Sequence, residues 1–182
     1  GLPVASRRYH IERVDGLPPA TVNPDPAEQA RIEREAALIA KARERDDSRS
    51  DFAEAFRWPA RGRISGVYGS QRVLNGNPKS PHMGLDIAAP AGTPILAPLP
   101  GVVTLVHADM LLTGRTVVLD HGHGVSSVYL HMHRIEVREG QYLRRGEPVG
   151  TIGMRGRASG PQLHIGLNRF EAKLDPQLLL PP

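Results

Sequence analysis

Eight histidines and the absence of cysteine define the chemistry open to this 182-residue sequence. Seven of the histidines fall within residues 51–182, a segment that is also rich in glycine. Without cysteine, disulfides and thiolate zinc sites are excluded, so a bound metal must use His, Asp or Glu as ligands. The spacing of the histidines then decides which of them are candidates for metal binding or proton transfer.

The first candidate pair is His82 and Asp86, which lie four positions apart with Gly84 between them. Such a pair can converge where a loop enters a strand, and neutral imidazole and carboxylate both suit zinc. A loop histidine beside an aspartate that caps a turn would have the same spacing. The spacing alone leaves both interpretations open.

A second group alternates histidine with apolar residues near position 130. Strand alternation predicts His131 and His133 on one face, with Leu130 and Met132 on the other. The two histidines could be metal ligands or proton-transfer groups. A polar strand face exposed to solvent is the alternative.

The third group lies near the C-terminus, in a run that begins Gly160-Pro161. Alternation predicts that Gln162 and His164 share one face and that Leu163 and Ile165 point into the core. His164 is then either a metal ligand or a hydrogen-bonded, half-buried histidine.

Short β-branched runs separated by glycine and proline follow one another from Phe56 onward, and they would position these groups. No helical pattern interrupts them, which argues against a βαβ architecture. The pattern predicts an all-β, antiparallel sandwich or barrel-like fold. The predicted strands are 63–68, 93–97, 102–106, 116–120, 126–131, 134–137, 148–152 and 162–167.

Residues 1–50 have a different character and are predicted to form an N-terminal extension to a domain of residues 51–182. The segment 9–14 alternates loosely, as an edge strand would. Asp25 at the N-cap, followed by Pro26 and Glu28, predicts a helix over about 26–45 with a thin apolar stripe. Residues 46–50 are predicted to be a linker.

Charge and hydropathy exclude some classes of function. The net charge is +4, and residues 51–182 carry the whole excess. No basic helix or basic–aromatic stripe is present, so we expect no nucleic-acid partner. No apolar run is long enough for a membrane span, and the first residues lack the apolar region of a signal peptide.

Taken together, the three groups resemble peptidase family M23, the lysostaphin- and LytM-like peptidoglycan endopeptidases. The pattern is His-x3-Asp at 82–86, Tyr-x-His at 129–131 and Gly-Pro-x-Leu-His at 160–164. The flanking segments 64–70, 86–103, 120–131 and 140–153 also match, so that the resemblance covers about residues 57–176.

The resemblance implies a LytM-type domain in which His82, Asp86 and His164 bind Zn²⁺. Three protein ligands leave a fourth position for a zinc-bound water, which acts as the nucleophile. His131 matches the family's strand histidine, which stabilises the oxyanion or moves a proton. The implied activity is zinc metalloendopeptidase cleavage of peptide cross-links or stem peptides in peptidoglycan, in the periplasm or secreted to the cell envelope. Arg72 would lie beside the site, where it could meet a substrate carboxylate.

One residue departs from the family pattern. Gln162 stands where members usually have a catalytic histidine, and glutamine cannot shuttle a proton near pH 7. It could still orient the water or stabilise an oxyanion, while His133 either takes over the missing role or is a rim residue. The alternative function is therefore a catalytically impaired LytM-like envelope protein that binds peptidoglycan or regulates another cell-wall hydrolase.

The N-terminal helix also allows more than one role. It could pack on the β domain, bridge to another envelope protein, or lie over the cleft as an inhibitory segment. Nothing in its charge or sequence separates these three possibilities.

Overall fold

The computed structural model of the protein describes residues 7–16 and 25–181. Those residues form fourteen β-strands, one α-helix and two short 3-10 helices. The helix α1 is Pro26–Ala42. The strands are β1 (Ile11–Val14), β2 (Arg63–Gly66), β3 (Gln71–Leu74), β4 (Asn77–Pro78), β5 (Leu85–Ala88), β6 (Pro94–Leu96), β7 (Gly101–Met110), β8 (Gly114–Asp120), β9 (Val125–Met132), β10 (Arg134–Ile135), β11 (Tyr142–Leu143), β12 (Pro148–Thr151), β13 (Gln162–Arg169) and β14 (Ala172–Leu174).

The strands form one large sheet and two small ones. The large sheet has the order β11-β7-β8-β9-β13-β5-β2, with β14 paired to β13, and its pairings are antiparallel. Strands β10-β12-β6 form a second sheet, which is also antiparallel. Strands β1-β3-β4 form a third sheet, in which β3 pairs with β1 in parallel and with β4 in antiparallel fashion. The core contains buried side chains from both of the first two sheets, such as Leu85, Ile87, Ile95, Tyr129, Val149 and Ile165. The prediction of an all-β, antiparallel fold is confirmed.

The predicted strands correspond to observed ones, with small shifts at their ends. The strands that alternation did not reveal are β3, β4, β5, β11 and β14, each of two to four residues. So few residues give almost no period-two signal, and their pairing is set by partners distant in sequence.

Helix α1 begins as predicted but ends earlier. The Asp25 carboxylate accepts the N–H of Glu28 at 2.8 Å, and Pro26 occupies the first turn. The helix ends at Ala42 rather than near 45. Beyond that point Arg45 lies 3.6 Å from the buried Asp120 carboxylate, and this contact draws the chain onto the β8–β9 hairpin.

The helix packs on the end of β7. A Glu35 carboxylate oxygen accepts the N–H of Leu111 at 2.7 Å, and the Arg31 guanidinium donates to the Asp109 carbonyl at 2.8 Å. The predicted apolar stripe, through Ile32 and Ile39, faces the segment around Met110. Of the three roles open to this helix, the structure therefore shows packing on the β domain.

The predicted linker is also attached to the domain. The Arg49 guanidinium pairs with the Asp120 carboxylate, and the His123 N–H donates to the Asp47 carbonyl at 2.8 Å. The boundary at residue 50 stays a prediction. No helix in the described ranges is long and apolar enough to cross a membrane.

A buried histidine in the core should make stability depend on pH. The ring of His121 is fully buried, with Nδ1 2.5 Å from the Pro100 carbonyl and Nε2 2.7 Å from the Ser127 hydroxyl. Burial lowers the pKa of His121 to about 4. The neutral ring therefore stabilises the fold fully above the unfolded-state pKa near 6.5, and this stabilisation is lost as pH falls toward 4.

We expect the free energy of unfolding to fall by about 3 kcal/mol between pH 6.5 and 4 on account of this residue. Urea denaturation across that pH range measures the free energy of unfolding. In His121→Gln this free energy should depend less steeply on pH. The matched control is His123→Gln, because His123 is exposed and lies only two residues away. An unchanged slope in His121→Gln would contradict the assignment.

Candidate metal centre

Two of the predicted ligands are brought together by strand register. Asp86 on β5 and His164 on β13 are direct Cα partners in the antiparallel ladder. Residues opposite each other in such a ladder project from the same face. Their strand neighbours Ile87 and Leu163 are buried in the core, so Asp86 and His164 lie on the outer face of the large sheet. The predicted alternation around His164 is confirmed.

The third predicted ligand reaches the same face from a loop. The backbone of His82 is fixed by its N–H bond to the Ser70 carbonyl at 2.7 Å and by the Gly69 N–H, which donates to the His82 carbonyl at 2.8 Å. Its ring Nδ1 lies 3.0 Å from the Val67 carbonyl. Because a carbonyl only accepts, Nδ1 donates its proton to Val67. Nε2 is then the nitrogen that faces Asp86 and His164, and it can bind a metal ion once it has lost its own proton.

Two glycines leave room for this convergence. A Cβ at Gly84 would lie 2.5 Å from the Ile165 carbonyl and 2.6 Å from Nε2 of His164. A Cβ at Gly66 would collide with the Asp86 carboxylate. The loop that carries His82 can therefore approach β13 only because position 84 has no side chain.

The three ligand atoms form a compact triangle. His82 Nε2 lies 3.1 Å from Asp86 Oδ1 and 3.0 Å from His164 Nδ1, and the third edge, His164 Nδ1 to Asp86 Oδ1, is 2.8 Å. Tetrahedral zinc, with bonds of about 2.0–2.2 Å, separates its ligand atoms by about 3.3 Å. Two imidazole nitrogens and one carboxylate oxygen at this spacing fit a zinc ion.

The electrostatics of the triangle favour a cation at its centre. Burial by itself would raise the pKa of Asp86, but hydrogen bonds from His164 and His82 outweigh it and hold that pKa well below its usual range. Burial lowers the pKa of His82, but its hydrogen bond to Asp86 prevails and raises it. The carboxylate thus stays ionised and demands positive charge beside it, which protons or a metal ion can supply.

His131 reaches the site through a break in strand alternation. Its backbone φ is +64°, a left-handed conformation that is uncommon for a residue other than glycine. The β8–β9 register shifts at this point, so that two residues of β9, Leu130 and His131, oppose the single residue Thr116 of β8. A bulge of this kind redirects a side chain, and bulges recur beside active sites.

Because of the same bulge, the prediction that Leu130 and Met132 share one face of β9 is wrong. Leu130 pairs directly with His164 and so shares its face, whereas Met132 is fully buried in the core. The two apolar residues therefore do not lie on one face as alternation predicted, because the extra residue at the bulge reverses the pattern between them.

The ring of His131 is held in one tautomer. Its Nδ1 lies 2.8 Å from the Arg155 carbonyl, so Nδ1 is the donor and Nε2 is left as an acceptor. Burial lowers the pKa of His131, and its charge is coupled to those of His164 and Asp86. A neutral imidazole beside the ligand triangle can accept a proton through Nε2.

Gln162 opens β13 two residues before His164. It is half-buried, pairs with Ala88, and donates its N–H to the Gly153 carbonyl at 3.0 Å. Alternation places its side chain on the outer face with His164, about 7 Å away along the strand. The structure thus places an amide, rather than an imidazole, on the face that carries the ligands.

His133 is not placed by strand alternation. Strand β9 ends at Met132, and His133 lies exposed in the following bend. Its N–H donates to the Thr151 carbonyl at 2.9 Å, and its carbonyl accepts from Arg115. A shared face with His131 therefore has no basis in strand geometry, and a catalytic role for His133 stays a prediction.

The sequence analysis missed the groups that orient the rings. The carbonyls of Val67 and Arg155 fix the tautomers of His82 and His131, and such outer contacts tune a metal site. A backbone carbonyl is present at every position, so no residue type marks these two.

Comparison with known proteins gives a consistent result. The family model described as "Peptidase family M23" matches residues 80–176, which are more than half of the chain. Peptidoglycan DD-endopeptidase ShyA of Vibrio cholerae serotype O1 is 40% identical over 88 residues, which are 48% of this chain and 20% of ShyA. The chain spans about a fifth of the length of curated relatives such as this one.

Solved structures show the same similarity. A crystal structure of an M23 protein from Pseudomonas aeruginosa has a TM-score of 0.73 at 37% identity, covering 85% of this chain and 62% of that one. A zinc-containing peptidase from Vibrio cholerae has a TM-score of 0.63 at 28% identity, covering 67% and 39%.

Proposed function

The chain belongs to peptidase family M23, and from that membership we propose that it is a zinc metalloendopeptidase acting on bacterial peptidoglycan. The bonds cut are peptide cross-links or stem peptides, and the place of action is the cell envelope, where peptidoglycan lies. The observation that carries the proposal is the convergence of three ligand atoms, from His82, Asp86 and His164, to within 3.1 Å of one another. ShyA and the zinc-containing peptidase of Vibrio cholerae support it.

His82, Asp86 and His164 would hold the metal. Zn²⁺ bound by three protein ligands supplies a strongly acidified water and polarises the scissile carbonyl. The Val67 carbonyl holds His82 in the tautomer that presents Nε2, and the ionised Asp86 offsets part of the metal's charge.

His131 and Gln162 would act on the reacting groups. Nε2 of His131 accepts a proton from the attacking water, because Nδ1–H is already donated to the Arg155 carbonyl. The Gln162 amide can donate a hydrogen bond to the oxygen on which charge develops, but it cannot deliver a proton to the leaving amine near pH 7. Delivery of a proton to the leaving amine is therefore the step for which the site has no assigned group.

A second candidate function is a role in binding alone, and Gln162 is the observation that favours it. Such a protein would bind peptidoglycan or regulate another cell-wall hydrolase without cutting bonds itself. The retained ligand triangle favours the enzyme, since binding alone gives no reason to keep three metal ligands 2.8–3.1 Å apart.

Digestion of purified peptidoglycan by the zinc-loaded protein tests the proposal. We expect soluble muropeptides to appear, to stop appearing when 1,10-phenanthroline removes the metal, and to return when Zn²⁺ is added back, because the water loses its acidity without the ion. Chromatography of the released fragments measures all three arms. A fully zinc-loaded protein that releases nothing would favour the binding role instead.

A further inference from the structure

The N-terminal strand β1 joins the sheet in an unusual way. It pairs with β3 in parallel, with Ile11 opposite Gln71 and Glu12 opposite Arg72, whereas the other strand pairings of the described residues are antiparallel. Strand β3 lies within the predicted domain of residues 51–182, whereas β1 comes from the extension before helix α1. The edge of β3 can therefore accept an added strand.

This edge runs directly into the metal centre. The Gln71 N–H donates to the His10 carbonyl at 2.9 Å, and the preceding residue, Ser70, accepts the N–H of His82 at 2.7 Å. The ring of Tyr9 covers Gly69, whose N–H donates to the His82 carbonyl. A segment added to β3 thus ends against the backbone that holds a ligand.

A charge pair marks the added strand. Nε of Arg72 lies 2.8 Å from Oε2 of Glu12, and both side chains are largely exposed. Arg72 lies two positions after Ser70, whose carbonyl accepts the His82 N–H at 2.7 Å, so β3 carries the guanidinium close to the metal centre. Arg72 therefore presents a carboxylate-binding group at the edge of the site, and the chain's own Glu12 occupies it.

Strand β1 is held weakly. The side chains of Tyr9 and Ile11 remain 45% and 52% exposed, so about half of their surface stays in water. An exposed ion pair such as Glu12–Arg72 adds little to stability, because water screens both charges. The Arg7–Asp175 pair, at 2.6 Å, keeps the segment close to the domain. An extended peptide that makes the same main-chain hydrogen bonds can therefore replace β1, while the displaced segment remains nearby.

We infer that the edge of β3 is a binding subsite for an extended peptide bearing a carboxylate, and that β1 with Glu12 occupies this subsite in the resting chain. The inference rests on the proposed function, and it specifies which part of the substrate is recognised. Strand addition supplies main-chain hydrogen bonds, and Arg72 supplies selectivity for a carboxylate. The acidic peptide stems of peptidoglycan combine both features.

Two single substitutions separate this subsite from a structural ion pair. Glu12→Gln and Arg72→Gln break the same contact, so both should speed hydrogen exchange of the Gln71 amide. Their effects on ligand binding should be opposite. Glu12→Gln removes the competitor and should tighten binding two- to five-fold, roughly the worth of an exposed pair. Arg72→Gln removes the partner of the carboxylate and should weaken binding about ten-fold.

The probe is a fluorescein-labelled peptidoglycan tetrapeptide, used as free acid and as amide, with the zinc-loaded full chain. Fluorescence anisotropy gives the Kd, and chromatography checks that the probe stays intact. Glu44→Gln, which breaks the exposed Lys41–Glu44 pair at 2.9 Å, is the matched control and should leave the Kd unchanged.

Shifts of the Kd in the same direction for Glu12→Gln and Arg72→Gln would overturn the inference, as would equal binding of acid and amide probes. Binding without hydrolysis of peptidoglycan would contradict the proposed function but not the subsite, because the Kd measurements do not require catalysis. Hydrolysis with no preference for the acid probe would contradict the subsite but not the proposed function.

Discussion

His164→Ala is expected to abolish both zinc retention and peptidoglycan hydrolysis. The substitution removes Nδ1, which lies 2.8 Å from Asp86 Oδ1 and 3.0 Å from His82 Nε2, and leaves two protein ligands. Loss of an outer contact alone costs about 10–100-fold in metal affinity, so loss of a ligand should cost more than 100-fold. Metal analysis after dialysis, together with muropeptide release, measures both effects.

The matched control is His123→Ala, which removes an exposed histidine from the β8–β9 hairpin of the same domain. It should keep one zinc per chain and the parental rate of hydrolysis. Circular dichroism of both variants checks that the fold survives. If His164→Ala retained stoichiometric zinc, the metal centre would have to be placed elsewhere.

The position of His164 shows what period-two alternation can and cannot predict about a strand residue. With Leu163 and Ile165 apolar, the sequence predicted that His164 faces away from the core, and the ladder confirms it. Alternation could not predict that Asp86 lies directly opposite, because register between strands 78 residues apart is set by tertiary packing. The resemblance to family M23 supplied that link.

His131 shows where alternation fails. Period two holds only while each residue is extended, and a φ of +64° breaks it at this residue. The bulge is a property of the β8–β9 pairing, so no window of sequence around His131 contains it. The faces assigned to Leu130 and Met132 failed for the same reason, at the point where the strand meets the site.

The N-terminal extension shows a third kind of limit. Local signals placed the start of helix α1 well, since an Asp N-cap and a first-turn proline act over three residues. They could not place its packing on β7 or the parallel pairing of β1 with β3, because both depend on partners about 60–80 positions away. Local sequence can therefore predict the secondary structure of an extension, but its contacts with the rest of the protein depend on tertiary structure.

Gln162→His is expected to raise kcat on peptidoglycan by about 10²–10⁴-fold, the usual worth of general acid–base catalysis. Position 162 shares the outer face of β13 with His164, so an imidazole there would lie beside the scissile bond without any change of backbone. A histidine can hold a proton near pH 7 and deliver it to the leaving amine, which glutamine cannot do. The measurement is the steady-state rate of muropeptide release at equal zinc content.

A merely better-packed site would not change the pH dependence, whereas a new proton donor should add a descending limb on the alkaline side of the kcat profile. Gln162→Asn, which keeps the amide but shortens it, is the matched control and should show neither the gain nor the limb. A parental protein that is fully zinc-loaded yet inactive, rescued by Gln162→His, would mean that the natural chain binds peptidoglycan without cutting it. Equal rates in the parent and in Gln162→His would mean that another group already delivers the proton, and the exposed His133 would be the first to replace.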